Sequence, residues 1–309
     1  MIVAAAQISP VLLDRTATLE KVLARAQEAA AAGARLVAFP EAIVPGYPTW
    51  LARTGGAAFD DPLQKELHAR YLDQGVELPG RELGRLREFA SDTGVTLVVG
   101  VVERSTSGGS LYATALTVHP GGAWTAHRKL VPTYEERLAW APGDGAGLVV
   151  HAVGGWKLGV LNCWENWMPA ARLALYAQGA QLFVSLWPGS PAPTSDISRF
   201  TAREGRVWVL AASGVLRADE LPADLPAREA LARSAEDGLL HTGGSRLVGP
   251  DGALRAALDE PREGLLVGAL DRAALLGERQ NFDPAGHYAR PDVLRLTVDR
   301  ARRATLDEE

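Results

Sequence analysis

Short apolar runs rich in valine, leucine and alanine recur along this 309-residue chain, and helical or turn segments separate them. The run 34–40 is apolar at nearly every position, which is typical of a strand covered on both faces. Segment 16–33 instead has apolar residues at helical spacing and ends at a glycine. This alternation predicts an α/β chain in which helices cover a mixed sheet within one domain, 1–309.

The same patterns give approximate bounds for each element. Strands are predicted at 2–8, 34–40, 95–104, 111–119, 123–129, 156–162, 181–187, 207–213 and 264–271, with a hairpin at 245–258. Helices are predicted at 16–33 (capped by Thr16), 81–94, 169–179, 195–206 (capped by Ser195) and near 226–235. Residues 214–242 are expected to form a surface excursion and 280–309 a C-terminal interface segment, with a frayed tail.

Composition excludes several classes of function. A net charge of −5 argues against a nucleic-acid partner, because a phosphate-binding face needs a surplus of basic residues. No apolar stretch approaches the ~18 residues of a membrane span, and the N-terminus has no secretory pattern. A single cysteine cannot form an intrachain disulfide. We therefore expect a cytoplasmic protein that has no membrane partner.

Three ionisable residues occupy the ends of predicted strands. Glu41 directly follows the strand 34–40, Lys129 ends the strand 123–129, and Cys163 directly follows the strand 156–162. Ligands of α/β proteins bind at the carboxyl ends of strands. A carboxylate, an ammonium and a thiol at such positions form a candidate active site.

These residue types suffice for nucleophilic catalysis. A thiol with a pKa of about 8.5 needs a base or a nearby cation to become a thiolate. The apolar surroundings of Glu41 would raise the pKa of its carboxyl group toward that task, and Lys129 could stabilise the charge that develops on an attacked C–N bond. Taken singly, Cys163 could equally be a small buried hydrophobe, Glu41 a loop carboxylate and Lys129 a solvated strand end. Spacing alone does not bring them together.

Four stretches of the chain resemble the nitrilase superfamily, and specifically its true nitrilase branch. They are "FPEAIVPGYP" (39–48), "HRKLVPTYEERLAWAPGDG" (127–145), "NCWENWMPAARLALYAQG" (162–179) and "FDPAGHYARPDVL" (282–294). The Cys-Trp-Glu-Asn and Pro-Thr-x-x-Glu-Arg motifs resemble the corresponding motifs of nitrile hydrolases more than those of amidases. The resemblance implies an α-β-β-α sandwich.

The resemblance also implies roles for individual residues. Cys163 corresponds to the nucleophile, Glu41 to the general base, Lys129 to the charge-stabilising lysine and Glu136 to a further active-site glutamate. The backbone N–H of Trp164 corresponds to a second donor to the developing charge.

Some residues near the candidate site have more than one possible role. Glu135 adjoins Glu136, which we prefer because Arg137 follows it in the family pattern. Tyr47, Trp164 and Trp187 are expected to contact the substrate, and core packing is an equal alternative for Trp187. Glu165 and Asn166 either shape the turn that presents the cysteine or cap the helix that follows.

The implied function is hydrolysis of an organic nitrile to a carboxylic acid and ammonia, through a thioimidate and a thioester, without metal or cofactor. An amidase or N-carbamoyl amide hydrolase of the same superfamily is the alternative, and a catalytically silent relative is another. A cysteine protease would need a histidine partner, and His151 is the nearest in sequence. A homodimer or higher homo-oligomer is expected, and a dimer is preferred to a long filament because the tail is shorter than in many members of the family. The sequence does not distinguish aliphatic, aromatic and arylacetic nitriles.

Overall fold

Two β-sheets stacked face to face form the centre of the protein in the computed structural model, which describes residues 1–303. The last part of the predicted tail and interface segment, 304–309, lies outside the described residues. The strands are β1 (Ile2–Gln7), β2 (Leu36–Ala38), β3 (Val76–Glu77), β4 (Thr96–Arg104), β5 (Leu111–Val118), β6 (Trp124–Arg128), β7 (His151–Val153), β8 (Trp156–Asn162), β9 (Leu182–Trp187), β10 (Trp208–Ser213), β11 (Val215–Arg217), β12 (Leu239–Thr242), β13 (Ser245–Val248), β14 (Leu254–Leu258) and β15 (Gly264–Ala269).

The described residues form eight α-helices, some of which cover the outer faces of the two sheets. They are α1 (Arg15–Ala31), α2 (Trp50–Arg53), α3 (Pro62–Asp73), α4 (Arg81–Thr93), α5 (Pro169–Tyr176), α6 (Pro191–Gly205), α7 (Arg228–Arg233) and α8 (Arg272–Glu278). Two short 3₁₀-helices, Tyr134–Leu138 and Cys163–Trp167, follow β6 and β8. Among the described residues, none of the helices combines the length and hydrophobicity needed to cross a membrane.

Each large sheet has a parallel centre and antiparallel edges. The seven-stranded sheet has the order β15-β1-β2-β4-β5-β6, with β3 beside β4, and β1, β2 and β4 run parallel. The six-stranded sheet has the order β14-β13-β10-β9-β8-β7, with β8, β9 and β10 parallel. Strands β11 and β12 form a separate two-stranded sheet.

Three apolar layers hold this arrangement together. Alternate residues of β1 show the principle: Val3 and Ala5 face the other sheet, whereas Ala4 and Ala6 face helices. Helices α1 and α4 pack on the seven-stranded sheet, and α5 and α6 pack on the six-stranded sheet. The protein is therefore an α-β-β-α sandwich, and the fold implied by the resemblance is confirmed.

The prediction of one mixed sheet, made from the strand pattern, was wrong. Every central strand is buried on one face by the opposite sheet and on the other by helices, so both faces are apolar in either sheet. An apolar run therefore does not reveal to which sheet its strand belongs. That assignment depends on long-range pairing.

Several predicted boundaries also need correction. The cap of α1 is Asp14, not Thr16, because the Asp14 carboxylate accepts the Ala17 N–H at 2.8 Å. Helix α6 begins at Pro191 rather than at 195, since proline fits the first helical turn, where its missing N–H is not needed. Helices α2, α3 and α8 were not predicted.

The predicted surface excursion, 214–242, contains β11, α7 and β12. Its side chains Leu216 and Leu231 are buried against Trp50 and Tyr71. The segment thereby covers the end of the sandwich at which β2 and β9 terminate, and it brings His241 next to Tyr47.

Candidate active site

Glu41, Lys129 and Cys163 meet at one edge of the sandwich. Strands β2 and β6 run in the same direction in the seven-stranded sheet, so Glu41 and Lys129 emerge at the same edge. Strand β8 brings Cys163 from the other sheet. The Glu41 N–H donates to the carbonyl of Trp187 at 3.3 Å and joins the two sheets at this edge.

The side chains form one compact cluster with Glu136. The Lys129 Nζ lies 2.9 Å from Glu41 Oε1 and 2.7 Å from Glu136 Oε2. The Cys163 sulfur and oxygens of both carboxylates all lie within 4.8 Å of one another. None of the four residues is more than 4% exposed. Lys129 is thus not a solvated strand end, and Glu41 is not a solvent-facing loop carboxylate.

A glycine on β4 sets the position of Glu41. A Cβ at Gly100 would lie 2.1 Å from the Pro40 carbonyl oxygen and 2.5 Å from the Ala42 nitrogen. Only glycine allows the chain on either side of Glu41 to lie this close to the strand. This contact holds the carboxylate at the end of β2.

The turn that follows β8 begins with a strained residue, Cys163. Cys163 has a φ of +44°, in the left-handed region, where a side chain other than glycine costs about 1–3 kcal/mol. Asn166 holds the turn by donating its Nδ2 to the Cys163 carbonyl at 2.8 Å, while its Oδ1 accepts the Ser185 hydroxyl at 2.7 Å. The Trp164 backbone N–H acts to lower the pKa of the Cys163 thiol, against the larger effect of burial. Asn166 therefore shapes the turn, one of the two roles considered for it.

Glu136 is oriented by three donors. Its Oε2 accepts the Thr133 N–H at 2.6 Å as well as the Lys129 ammonium, and its Oε1 accepts the Tyr47 hydroxyl at 2.8 Å. The neighbouring Glu135 makes none of these contacts and is less buried. The structure thus brings Glu136, rather than Glu135, into the cluster.

Burial controls the protonation of the cluster. It raises the pKa of Glu41 to about 8, with the Glu136 charge adding to the effect and Lys129 opposing it. Burial also raises the pKa of the Cys163 thiol well above its usual range. For Lys129, burial alone would lower the pKa, but the charges of Glu41, Cys163 and Glu136 outweigh it and raise the pKa. The cluster therefore combines a fixed ammonium with a carboxyl group that titrates near neutral pH.

The cluster also has the donor atoms of a metal site, in Glu41, Glu136 and Cys163. The Lys129 ammonium, however, already lies within 2.9 Å of a carboxylate oxygen of each glutamate. A second cation there would be repelled. These residues therefore fit a lysine-neutralised site better than a metal centre.

A small cavity of about 160 Å³ opens beside Glu136. Its walls include Tyr47, Leu51 and His241. Burial lowers the pKa of His241 to about 4, so its ring is neutral, and Thr49 Oγ1 lies 2.6 Å from its Nε2. Sequence analysis singled out Tyr47 but missed His241, because only the tertiary structure brings 214–242 to this edge.

A larger cleft of about 720 Å³ lies elsewhere and is lined by residues at the starts of β1, β4 and β8. It contains His151, whose Nδ1 is 3.4 Å from His119 Nε2 and whose Nε2 is 3.3 Å from Thr125 Oγ1. His151 is thus engaged away from Cys163. Cys163 does not line this cleft, and His151 is not the partner that a cysteine protease would need.

The two tryptophans expected to contact substrate differ in their environment. Trp187 is 1% exposed and packs with Cys163, Ile197 and Ala211, so it is both a core residue and a neighbour of the thiol. The Trp164 side chain is 46% exposed and stacks on Trp167. The role that the resemblance gives to the Trp164 backbone N–H stays a prediction.

Comparison with known proteins gives the family. The carbon-nitrogen hydrolase family model matches residues 2–277. An aliphatic nitrilase from Sinorhizobium fredii (strain HH103) is 37% identical over 309 residues, which cover 96% of this chain and 94% of the relative. A nitrilase from Pseudomonas syringae pv. syringae (strain B728a) is 37% identical over 310 residues, covering 95% of this chain and 88% of the relative.

A solved structure supports the same fold. An amidase from Nesterenkonia sp. superposes with a TM-score of 0.66 at 24% identity, covering 91% of this chain and 94% of that chain. The chain belongs to the carbon-nitrogen hydrolase family. The resemblance to the nitrilase superfamily and its nitrilase branch is thereby confirmed.

Proposed function

We propose that this chain is a nitrilase that hydrolyses an organic nitrile to a carboxylic acid and ammonia. The observation that carries the proposal is the buried cluster of Glu41, Lys129, Glu136 and Cys163, in which a thiol, a base and a cation are in mutual reach. Relatives that match nearly the whole chain are named nitrilases, which supports the choice of a nitrile as substrate.

The first half of the reaction forms a covalent intermediate. Glu41 takes the proton of Cys163, and the thiolate attacks the nitrile carbon to form a C–S bond. The electron pair that leaves the C≡N bond moves to nitrogen, where Lys129 and the Trp164 N–H stabilise it. Protonation of that nitrogen by Glu41 gives a thioimidate.

The second half releases both products. Water adds to the thioimidate carbon, the tetrahedral adduct expels ammonia, and a thioester with Cys163 remains. A second water, deprotonated by Glu41 with help from Glu136, attacks the thioester. The C–S bond breaks, the carboxylic acid leaves, and the thiol recovers its proton. This sequence needs no metal or cofactor.

Matched substrates test the proposal against an amidase or N-carbamoyl amide hydrolase. Valeronitrile, benzonitrile and phenylacetonitrile, each with its amide, would be incubated with the protein and assayed for ammonia. We expect release from at least one nitrile that exceeds release from its amide. Turnover of amides alone would reject nitrile hydrolysis in favour of the alternative.

Activity should increase with pH through about 8. Because Glu41 accepts the thiol proton only when it is ionised, and burial raises its pKa to about 8, the protonated form that predominates at lower pH is inactive. We expect kcat/KM to rise about tenfold per pH unit below that value and to level off above it. Initial rates between pH 5.5 and 9.5 measure this, and a rate independent of pH across that interval would contradict the role of Glu41.

A neighbouring pair of glutamates tests the role of Glu136. Glu136→Gln removes a charge that contacts Lys129 and accepts the Tyr47 hydroxyl, and we expect kcat to fall about 10²-fold. Glu135→Gln is the matched control and should cost far less, because Glu135 makes neither contact. Equal losses in the two variants would reject the assignment.

We further propose that the chain forms a single domain and is cytoplasmic. We also propose that it assembles as a homodimer or larger homo-oligomer through the C-terminal segment 280–309. Support comes from the single cysteine, which leaves no intrachain disulfide, and from apolar side chains exposed within that segment. Tyr288, Val293 and Leu294 are 57%, 64% and 77% exposed. Sedimentation of the wild type and of Leu294→Asp tests the interface.

A further inference from the structure

The Glu165 carboxylate connects the two backbone segments that carry the catalytic cluster. It accepts the Leu130 N–H at 2.6 Å and the Asn162 N–H at 2.8 Å. Leu130 directly follows Lys129, and Asn162 directly precedes Cys163. One side chain therefore links the end of β6 in one sheet to the end of β8 in the other.

His127 completes this connection. Its Nε2 lies 3.0 Å and 3.2 Å from the two Glu165 oxygens, and both residues are almost fully buried. A carboxylate can only accept, so the Nε2 carries the hydrogen. His127 lies on β6 two residues before Lys129, and Leu130 follows that strand by two residues, so β6 and the residues just after it contribute two of the three donors to Glu165.

The charge of Glu165 also reaches the catalytic base. Burial would raise the pKa of Glu165, but His127 and the two N–H donors outweigh it and lower the pKa, so the carboxylate stays ionised. Glu165 in turn raises the pKa of Glu41. The titratable groups whose charges act on Glu41 are the Lys129 ammonium, the Glu136 and Glu165 carboxylates, the Cys163 thiol and the Tyr47 and Tyr71 hydroxyls.

We propose that Glu165, held by His127, is a positioning residue that keeps Cys163 and Lys129 at their working separation. It does not touch the reacting atoms. Strands β6 and β8 belong to different sheets and cannot pair through their backbones, so the Glu165 carboxylate links them instead. The negative charge of Glu165 also makes Glu41 a stronger base. The inference rests on the proposed nucleophilic role of Cys163.

Glu165→Gln tests this role with little change in volume. One end of the amide is a donor, so it cannot accept both the Leu130 and the Asn162 N–H groups. With the best nitrile of the panel above, we expect kcat to fall about 10²-fold while KM changes little, because the displacement affects the reacting atoms. The increase of kcat/KM with pH should also move to lower pH, since a charge that raises the pKa of Glu41 is lost.

Glu103→Gln is the matched control. Glu103 is also a buried carboxylate that bonds to β6, through Arg128, and it accepts the Thr114 hydroxyl. Its loss should lower the melting temperature without moving the pH profile. A folded Glu165→Gln protein with wild-type kcat, or with the same pH profile as Glu103→Gln, would overturn the proposal.

A pair of His127 variants decides the matter if Glu165→Gln does not fold. The His127→Gln amide can still donate to Glu165 and should keep most of kcat, whereas His127→Leu removes the donor and should lower kcat about 10²-fold. Equal kcat in the two variants would reject the inference. A wild type that releases no ammonia from any nitrile or amide would reject the proposed function instead.

Discussion

Cys163→Ala is expected to abolish hydrolysis, with a loss in kcat of at least about 10⁴-fold. The Cys163 thiol is the only sulfur nucleophile of the chain. The φ of +44° at Cys163 and the hydrogen bond from Asn166 to its carbonyl hold the thiol toward Glu41 and Lys129. Removing it leaves a base and a cation with nothing to activate. Ammonia release and intact-protein mass spectrometry measure the effect together.

The mass spectra distinguish a covalent mechanism from direct hydrolysis. Wild-type protein mixed with a good nitrile should show a mass increase that matches the acyl group, and the alanine variant should show none. Unfolding of the variant by denaturant should remain within about 1–2 kcal/mol of the wild type, because only one small buried group is lost. Ammonia release by Cys163→Ala at the wild-type rate would mean that the reaction occurs at a different site.

Lys129→Gln should lose about 10³-fold in kcat/KM and, in addition, lower the stability of the fold. The catalytic loss follows because the developing negative charge on nitrogen has no cation to stabilise it. The loss of stability follows because Lys129 lies between two buried carboxylates, 2.9 Å and 2.7 Å from their oxygens. Breaking a buried ion pair by removing one partner costs about 3–5 kcal/mol.

The stability deficit of Lys129→Gln should depend on pH in a defined direction. As the pH falls below about 8, protonation of Glu41 removes one of the two uncompensated negative charges, so the deficit should shrink. Denaturant unfolding at pH 6 and pH 9 measures this. Lys157→Gln is the control, because Lys157 is an exposed residue of β8 whose loss should change stability by no more than about 0.5 kcal/mol. A Lys129→Gln protein as active and as stable as this control would contradict the role of Lys129.

The residues of the cluster could be predicted before the cluster itself. Each of Glu41, Lys129 and Cys163 follows a strand, and strand ends are visible in the local pattern of residues. That the three meet was implied only by the resemblance to a family. His241 and His127 were missed, since their contacts are with residues far away in the sequence.

Sequence by itself determined the elements that depend on neighbouring residues: strand β8 within 156–162, helix α4 ending at Gly94, and the turn before β14. It also determined the chemistry available, because a single thiol leaves one choice of sulfur nucleophile. Only the tertiary structure decided which strands belong to which sheet and that Glu165 joins them. The physical reason is that burial on both faces makes all central strands alike, whereas pairing and side-chain contacts between distant segments are set by the packed molecule as a whole.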